Sequence, residues 1–366
     1  MVVNIEATLK SVAQAVEAAE LMSGREVREL RVGVSGANIE GINSRGVVAV
    51  TGKGREIGRE DVARVIEAAR AVAVPMDREI LHVIPQSYIV DDQKGIRDPL
   101  DMIGVRLEAE VHIITGSVTT AQNLVRCVNR AGFKVDGLVL QSLAASRAVL
   151  SSDERELGCL VIDLGAGTTD ILVWDDGAPY YTAVVPVGQA QVTNDLSIML
   201  SVPMEAAERL KLESGSCWIR QVEMDETVII PGLGGRPPQE VPRARVAAVI
   251  QPRMEEIFRL ARRKVEERGF WNRVKGGVVL VGGGALMPGA CELAQDLLGL
   301  SARVGFPVGS GGLVDEFRSP AYATAVGLVL LGAEAVPAEA REGREPERER
   351  RSPLSRLADW VRREFF

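Results

Sequence analysis

The stretch Val161 to Asp170, VIDLGAGTTD, constrains this chain more than any other. An apolar strand approach, Leu157 to Ile162, and an apolar exit, Ile171 to Trp174, flank a glycine bend. Gly165 and Gly167 admit positive φ and close backbone approach, so successive N–H groups can turn inward toward an anion. Thr168 and Thr169 add hydroxyl donors around Ala166. Asp163, ending the strand, is placed to hold a hydrated Mg²⁺ against phosphates, with Asp170 as its companion. The same residues also fit a tight β-hairpin with no ligand.

A second stretch, Val278 to Gly289 (VVLVGGGALMPG), repeats the pattern: a buried strand, then Gly282, Gly283 and Gly284, then Leu286 and a helix start. Two such bends far apart in one chain suggest the two walls of one nucleotide cleft. Neither is a Walker loop, which needs Lys-Ser/Thr after its last glycine, nor a Gly-x-Gly-x-x-Gly dinucleotide turn.

With 366 residues, 46% hydrophobic and 25% charged, the chain is long enough for two globular domains. A net charge of −7 and a pI near 5.3 argue against a nucleic-acid partner, and aromatics are sparse. Cys127, Cys159, Cys217 and Cys291 are widely spaced and read as reduced core residues. His82 and His112, the only histidines, sit beside β-branched neighbours, which suits core or hydrogen-bonding roles better than zinc. Gly33-Val34-Ser35-Gly36 lacks the spacing of a nucleophile elbow and reads as a turn. No signal sequence and no run of about 18 apolar residues is present, so a cytosolic protein is expected.

Four stretches carry a closer likeness: Leu81 to Thr115, Asp153 to Ile171, Gly234 to Ile257 and the extreme C-terminus. With the two glycine bends they resemble the actin, Hsp70 and sugar-kinase superfamily, and within it the bacterial division actins of the FtsA family, over nearly the whole chain. The resemblance implies an actin-like α/β fold of two domains around a nucleotide cleft, with an inserted α+β subdomain of the 1C type and a C-terminal amphipathic helix. It implies boundaries at 1–40, 116–157 and 319–333 for subdomain 1A, 41–115 for 1C, 158–197 and 276–318 for 2A, and 198–275 for 2B. FtsA-like proteins open with a strand, glycine hairpin and strand that form a phosphate-1 loop. This chain starts after it, at Met1-Val2-Val3-Asn4-Ile5-Glu6, which resembles the stretch before the family's first helix. Either Met1 replaces a valine of a longer protein at an internal GTG codon, or the protein is shortened and its cleft lacks one wall.

The same resemblance implies ATP and Mg²⁺ as ligands, at most slow hydrolysis, and a nucleotide that acts mainly as a conformational ligand. By position, Gln141, opening the small-residue helix QSLAASRA, would face the attacking water where many relatives carry Glu; helix packing alone is the other reading. Glu208 and Lys211, one turn apart, resemble a ribose-binding helix, or else form a solvated ion pair. The partners implied are the C-terminal peptide of the tubulin-like division protein FtsZ, further copies of the chain in a filament, and later division proteins at 41–115. The place implied is the cytoplasmic face of the membrane at the division site. A sugar-kinase-type phosphotransferase and a chaperone-like ATPase of the same superfamily are the rivals.

From Glu334 the chain turns charged and proline-containing, and 334–352 reads as a flexible tether. Residues 353–366 follow. At about 100° per residue, Leu354, Leu357, Val361 and Phe365 form a stripe with Trp360 and Phe366 at its margins, and Arg356, Arg362 and Arg363 lie opposite. That pattern reads as an interfacial anchor for an anionic membrane surface, or as a helix docking on the body or a partner.

Overall fold

The computed structural model describes residues 4–223, 225–232, 237–308 and 315–335. In chain order the elements are α1 (Ile5–Ser23), β1 (Glu29–Val34), β2 (Glu40–Ala49), α2 (Arg59–Arg70), β3 (Arg78–Val90), β4 (Gln93–Ile96), β5 (Arg106–Ser117), α3 (Val118–Arg130), β6 (Lys134–Leu140), α4 (Gln141–Val149) and α5 (Ser152–Leu157). They continue as β7 (Cys159–Leu164), β8 (Thr169–Asp175), β9 (Ala178–Val185), α6 (Gln189–Leu200), α7 (Met204–Ser214), β10 (Thr227–Ile230), β11 (Gln239–Pro242), α8 (Arg243–Glu267), β12 (Val278–Val281), α9 (Ala290–Leu298), β13 (Ala302–Val304) and α10 (Ala323–Ala335).

The central sheet has the order β13-β12-β7-β8-β9, parallel on the β12 side of β7 and antiparallel beyond it. Both its faces are covered, so β7 and β8 are near-continuous apolar runs rather than alternating ones. Leu160, Ile162, Leu164, Ile171 and Val173 face one way, onto Val192, Leu196, Met254, Ile257 and Phe258 of α6 and α8. Val161, Leu172 and Trp174 face the other, onto Leu143, Ala145 and Ala148 of α4 and Ala323 of α10. Because side chains alternate along a strand, Asp163 and Asp170 share this second face.

Helices α4 and α10 pack with almost no space between backbones. A Cβ on Gly327 would fall 1.7 Å from the Ala144 carbonyl oxygen, so only glycine permits the crossing. Beside them, β1 and β6 form a short parallel pair.

The inserted unit is an antiparallel sheet, β2-β5-β3-β4. Leu107, Ala109, Val111 and Ile113 of β5 pack on Val62, Val65 and Ala69 of α2, while Ile84 and Ile114 join the core of the body. Both histidines lie at this seam. His82 Nε2 accepts from the Leu140 N–H at 3.0 Å. His112 Nδ1 donates to Asn43 Oδ1 at 2.6 Å, which leaves Nε2 to accept from the Thr182 hydroxyl at 2.9 Å. Asn43 and Gln86 donate to the carbonyls of Tyr180 and Pro179, so polar side chains cover the free edge of β9. Burial pushes the His82 imidazole down to about 4 and His112 to about 3, the latter also through its neighbour His82.

Local differences from the expected pattern have local causes. Leu157 ends α5 instead of starting the strand, because Ser151 and Glu154 cap a helical turn there and Gly158 breaks it. Thr227 to Ile230 pair with Gln239 to Pro242 as a short antiparallel hairpin. Cys217 donates its N–H to the Pro288 carbonyl, and 219–221 form a 3₁₀ turn. Pro242 is tolerated at the end of its strand because it owes the ladder no N–H there. Helix α10 runs to Ala335, into the expected tether; the rest of the tether and the whole terminal stripe, Leu354 to Phe366, lie outside the described residues. Among the described residues, no helix is long and apolar enough to cross a membrane.

Candidate functional site

Strands β7 and β12 run parallel and side by side, with Val281 opposite Asp163, so the glycine bends that follow them emerge at the same end of the sheet. In the first bend the Gly165 N–H donates to the Thr168 carbonyl at 3.1 Å. Neither Gly165 nor Gly167 takes the positive φ expected of it. Gly165 is needed for closeness, since a Cβ there would sit 2.9 Å from the Thr168 oxygen, whereas Gly167 faces open space. Helix α6 is seated on this bend: the N–H groups of Gln189 and Ala190 donate to the carbonyls of Gly165 and Ala166 at 2.9 and 2.7 Å.

The second bend does use left-handed backbone, with Gly282 at φ 80°. Residues 283–286 then make a 3₁₀ turn, which leaves Leu286 half exposed. The bends touch. A Cβ on Gly282 would meet Asp163 Oδ1 at 2.4 Å, and one on Gly284 would meet the Gln189 amide at 2.6 Å and Leu164 Cβ at 2.7 Å. Gly283 has open space above it.

Asp163 and Asp170 are opposite one another in the β7–β8 register, and both are buried. Burial pushes Asp163 up to about 6, against a hydrogen bond from the Thr324 hydroxyl at 3.4 Å. Burial pushes Asp170 up to about 7, with the Asp163 charge adding to it and the Ser35 and Thr168 hydroxyls opposing. Ser35 donates to Asp170 Oδ1 at 2.5 Å and lies 3.3 Å from Thr168 Oγ1. Among the described residues neither carboxyl has a Lys or Arg ion-pair partner. Two buried carboxyls facing only hydroxyls suit a cation better than an empty pair, because a buried charge needs a counter-charge. Thr169 is turned away, its hydroxyl bonded to the Val187 carbonyl at 2.9 Å.

Gln141 opens α4 and lies against β1, where a Cβ on Gly33 would be 3.0 Å from its Cγ. Glu208 and Lys211 form the ion pair their spacing allows, at 2.7 Å. It is not solvated: Lys211 is buried, and its ammonium also donates to Thr193 Oγ1 at 2.9 Å and the Gln189 carbonyl at 3.4 Å. All three N–H donors are thereby engaged. Glu208 is half exposed, and Lys211 and Thr193 both bind its Oε2. Burial opposes its charge, but the hydrogen bonds from Lys211 and Thr193 outweigh that and hold the carboxyl below its ordinary range.

Residues that sequence reasoning passed over belong to this cluster. Ser35 follows a strand and lies between Gly33 and Gly36, the one sign that could have marked it. Thr324 sits unmarked in an apolar helix, and Gln189 and Thr193 open α6. The structure thus brings Asp163, the Gly165 to Thr168 bend, Gly282 to Gly284 and Leu286 together at one end of the sheet, with Glu208 and Lys211 joined to them through Gln189.

Residues 160–327 match the family model described as cell division protein FtsA, and 36–115 match the one described as the SHS2 domain inserted in FtsA. The second match starts a few residues before the insertion boundary expected at Gly41. Cell division protein FtsA of Borreliella burgdorferi is 49% identical over 368 residues, covering 100% of this chain and 89% of that relative. Its counterpart in Escherichia coli K12 is 37% identical over 370 residues, covering 99% and 88%. Among solved structures, a PilM–PilN type IV pilus biogenesis complex aligns with a TM-score of 0.59 at 18% identity over 88% of this chain and 85% of that one. MreB5 of Spiroplasma citri bound to ADP aligns with 0.50 at 16% over 62% and 68%. These two likenesses show the actin-like fold.

Proposed function

Because the chain belongs to the cell division protein FtsA family, we propose that it binds ATP with Mg²⁺ between its two glycine bends, assembles on itself, and ties a ring of FtsZ to the cytoplasmic face of the membrane. The observation that carries the nucleotide reading is the contact between the bends, where Gly282 abuts Asp163 and Gly284 abuts Leu164. In this reading the Gly165 to Thr168 bend holds the phosphates, and Gly282, Gly283, Gly284, Leu286 and the free oxygen of Glu208 hold the nucleoside. Lys211 holds Glu208 in place. Asp163 holds the hydrated Mg²⁺, which when bound offsets phosphate charge. Gln141, packed against Gly33 of β1, would position the attacking water. The MreB5 structure was solved with ADP, which supports a nucleotide at this fold's cleft.

Units 1–40 with 116–157 and 319–333, and 158–318 in its two parts, would then be the two sides of the cleft, with 41–115 serving filament contacts and later division proteins. The tail would anchor the assembly through Leu354, Leu357, Trp360, Val361, Phe365 and Phe366, with Arg356, Arg362 and Arg363 on anionic headgroups. A helix this short binds lipid weakly alone, so anchoring depends on many copies in one polymer. Co-sedimentation with anionic vesicles tests this. The full chain pellets, more so with ATP, and a chain ending at Arg350 stays in solution; equal pelleting of the two would remove the anchor.

A further inference from the structure

Gln189 opens α6 and is held at both ends of its backbone. Its N–H donates to the Gly165 carbonyl of the first bend at 2.9 Å, and its own carbonyl accepts from Lys211 Nζ at 3.4 Å. The side chain runs beneath the second bend, close enough that a Cβ on Gly284 would lie 2.6 Å from Nε2. There Nε2 donates only to Met254 Sδ, at 3.3 Å, a weak acceptor. Oε1 has no partner at all, although the residue is 6% exposed. A buried amide oxygen without a donor costs stability that an apolar side chain of similar shape would not. The neighbours Leu164 and Met254 are apolar and offer it nothing, so packing does not account for a glutamine here.

We propose that Gln189 is a positioning residue that couples the two glycine bends, its amide turning so that Oε1 takes the Gly283 or Gly284 N–H when a nucleoside seats on that bend; the Gly282 N–H is already given to the Pro320 carbonyl. This rests on reading the crevice as a nucleotide site. Because the same residue's N–H is fixed to Gly165, settling of the second bend is transmitted to the first, and the nucleoside and phosphate halves of one ligand bind cooperatively.

Gln189→Met, with Gln189→Leu as the alternative if the first fails to fold, separates coupling from a structural role. Measured by calorimetry and thermal unfolding, the variant melts higher than the unsubstituted chain without ligand. It also binds ADP about tenfold more weakly, and adenosine, which seats on the second bend alone, by a distinctly smaller factor. A merely structural residue would lower the melting temperature, and a merely unsatisfied one would raise it with ADP affinity unchanged; either result overturns the coupling, as would equal losses for adenosine and ADP. Failure of the unsubstituted chain to bind ADP overturns the nucleotide reading as well.

Discussion

Ser35, the residue after β1, donates a 2.5 Å hydrogen bond to Asp170 on β8, joining the part of the chain before the inserted sheet to the hairpin sheet after it. Asp170 is buried with no ion-pair partner among the described residues, and burial lifts its carboxyl from 3.8 to about 7. The native state therefore holds a proton that the unfolded chain releases near pH 4. The stability this contributes is full below about pH 4 and is lost as pH rises through 7. Asp170→Asn, which still accepts from Ser35, melts higher than the unsubstituted chain at pH 8, by about 5 °C, and within a degree or so of it at pH 4.5. Thermal unfolding of the ligand-free proteins at the two pH values checks this.

The histidines act with the opposite sign. His82 and His112 are depressed to about 4 and about 3, so the unfolded chain takes up protons near pH 6.5 that the native seam refuses. Their contribution is whole above 6.5 and is lost as pH falls toward 4, at about 1.4 kcal/mol per pH unit for each. Hydrogen exchange should show β2, β3 and β5 losing protection between pH 7 and 5. His112→Gln, which keeps a donor and an acceptor, reduces that slope by about half.

Gly327→Val places side-chain atoms where the Ala144 carbonyl already sits. We expect a loss of about 3 kcal/mol or more, read as a lower denaturant midpoint with an unchanged slope.

Gly284→Ala confronts the Gln189 amide and Leu164 Cβ within 2.7 Å while leaving the sheet intact. The variant keeps its far-ultraviolet spectrum and loses nucleotide affinity at least about tenfold.

Much of this is legible in the sequence. The run Val161 to Asp170 could only be buried sheet broken by glycine, and the second run, Val278 to Gly284, differed from it by a parallel rather than antiparallel neighbour. What stayed hidden was non-local. Nothing near Ser35 announces Asp170, 135 residues later, and nothing in an apolar helix singles out Thr324 as the partner of Asp163. For Glu208 and Lys211 a solvated ion pair stands open beside the ribose-binding reading, because spacing reports which residues share a helix face but not what covers that face; here α6 covers Lys211 with Gln189 and Thr193. The β10–β11 pairing carries little local signal, because Gly and Pro at 231–238 mask a strand that starts only at Gln239.

The central claim is that one nucleotide is held jointly by the bend after β7 and the bend after β12. Titration of Mg-ATP into the full chain, the Gly284→Ala chain and an Asp163→Asn chain tests it most directly. The account predicts a single saturable site in the first, weakened in both variants by an order of magnitude or more. Saturable binding that both substitutions leave untouched, or no binding by the unsubstituted chain, would contradict it.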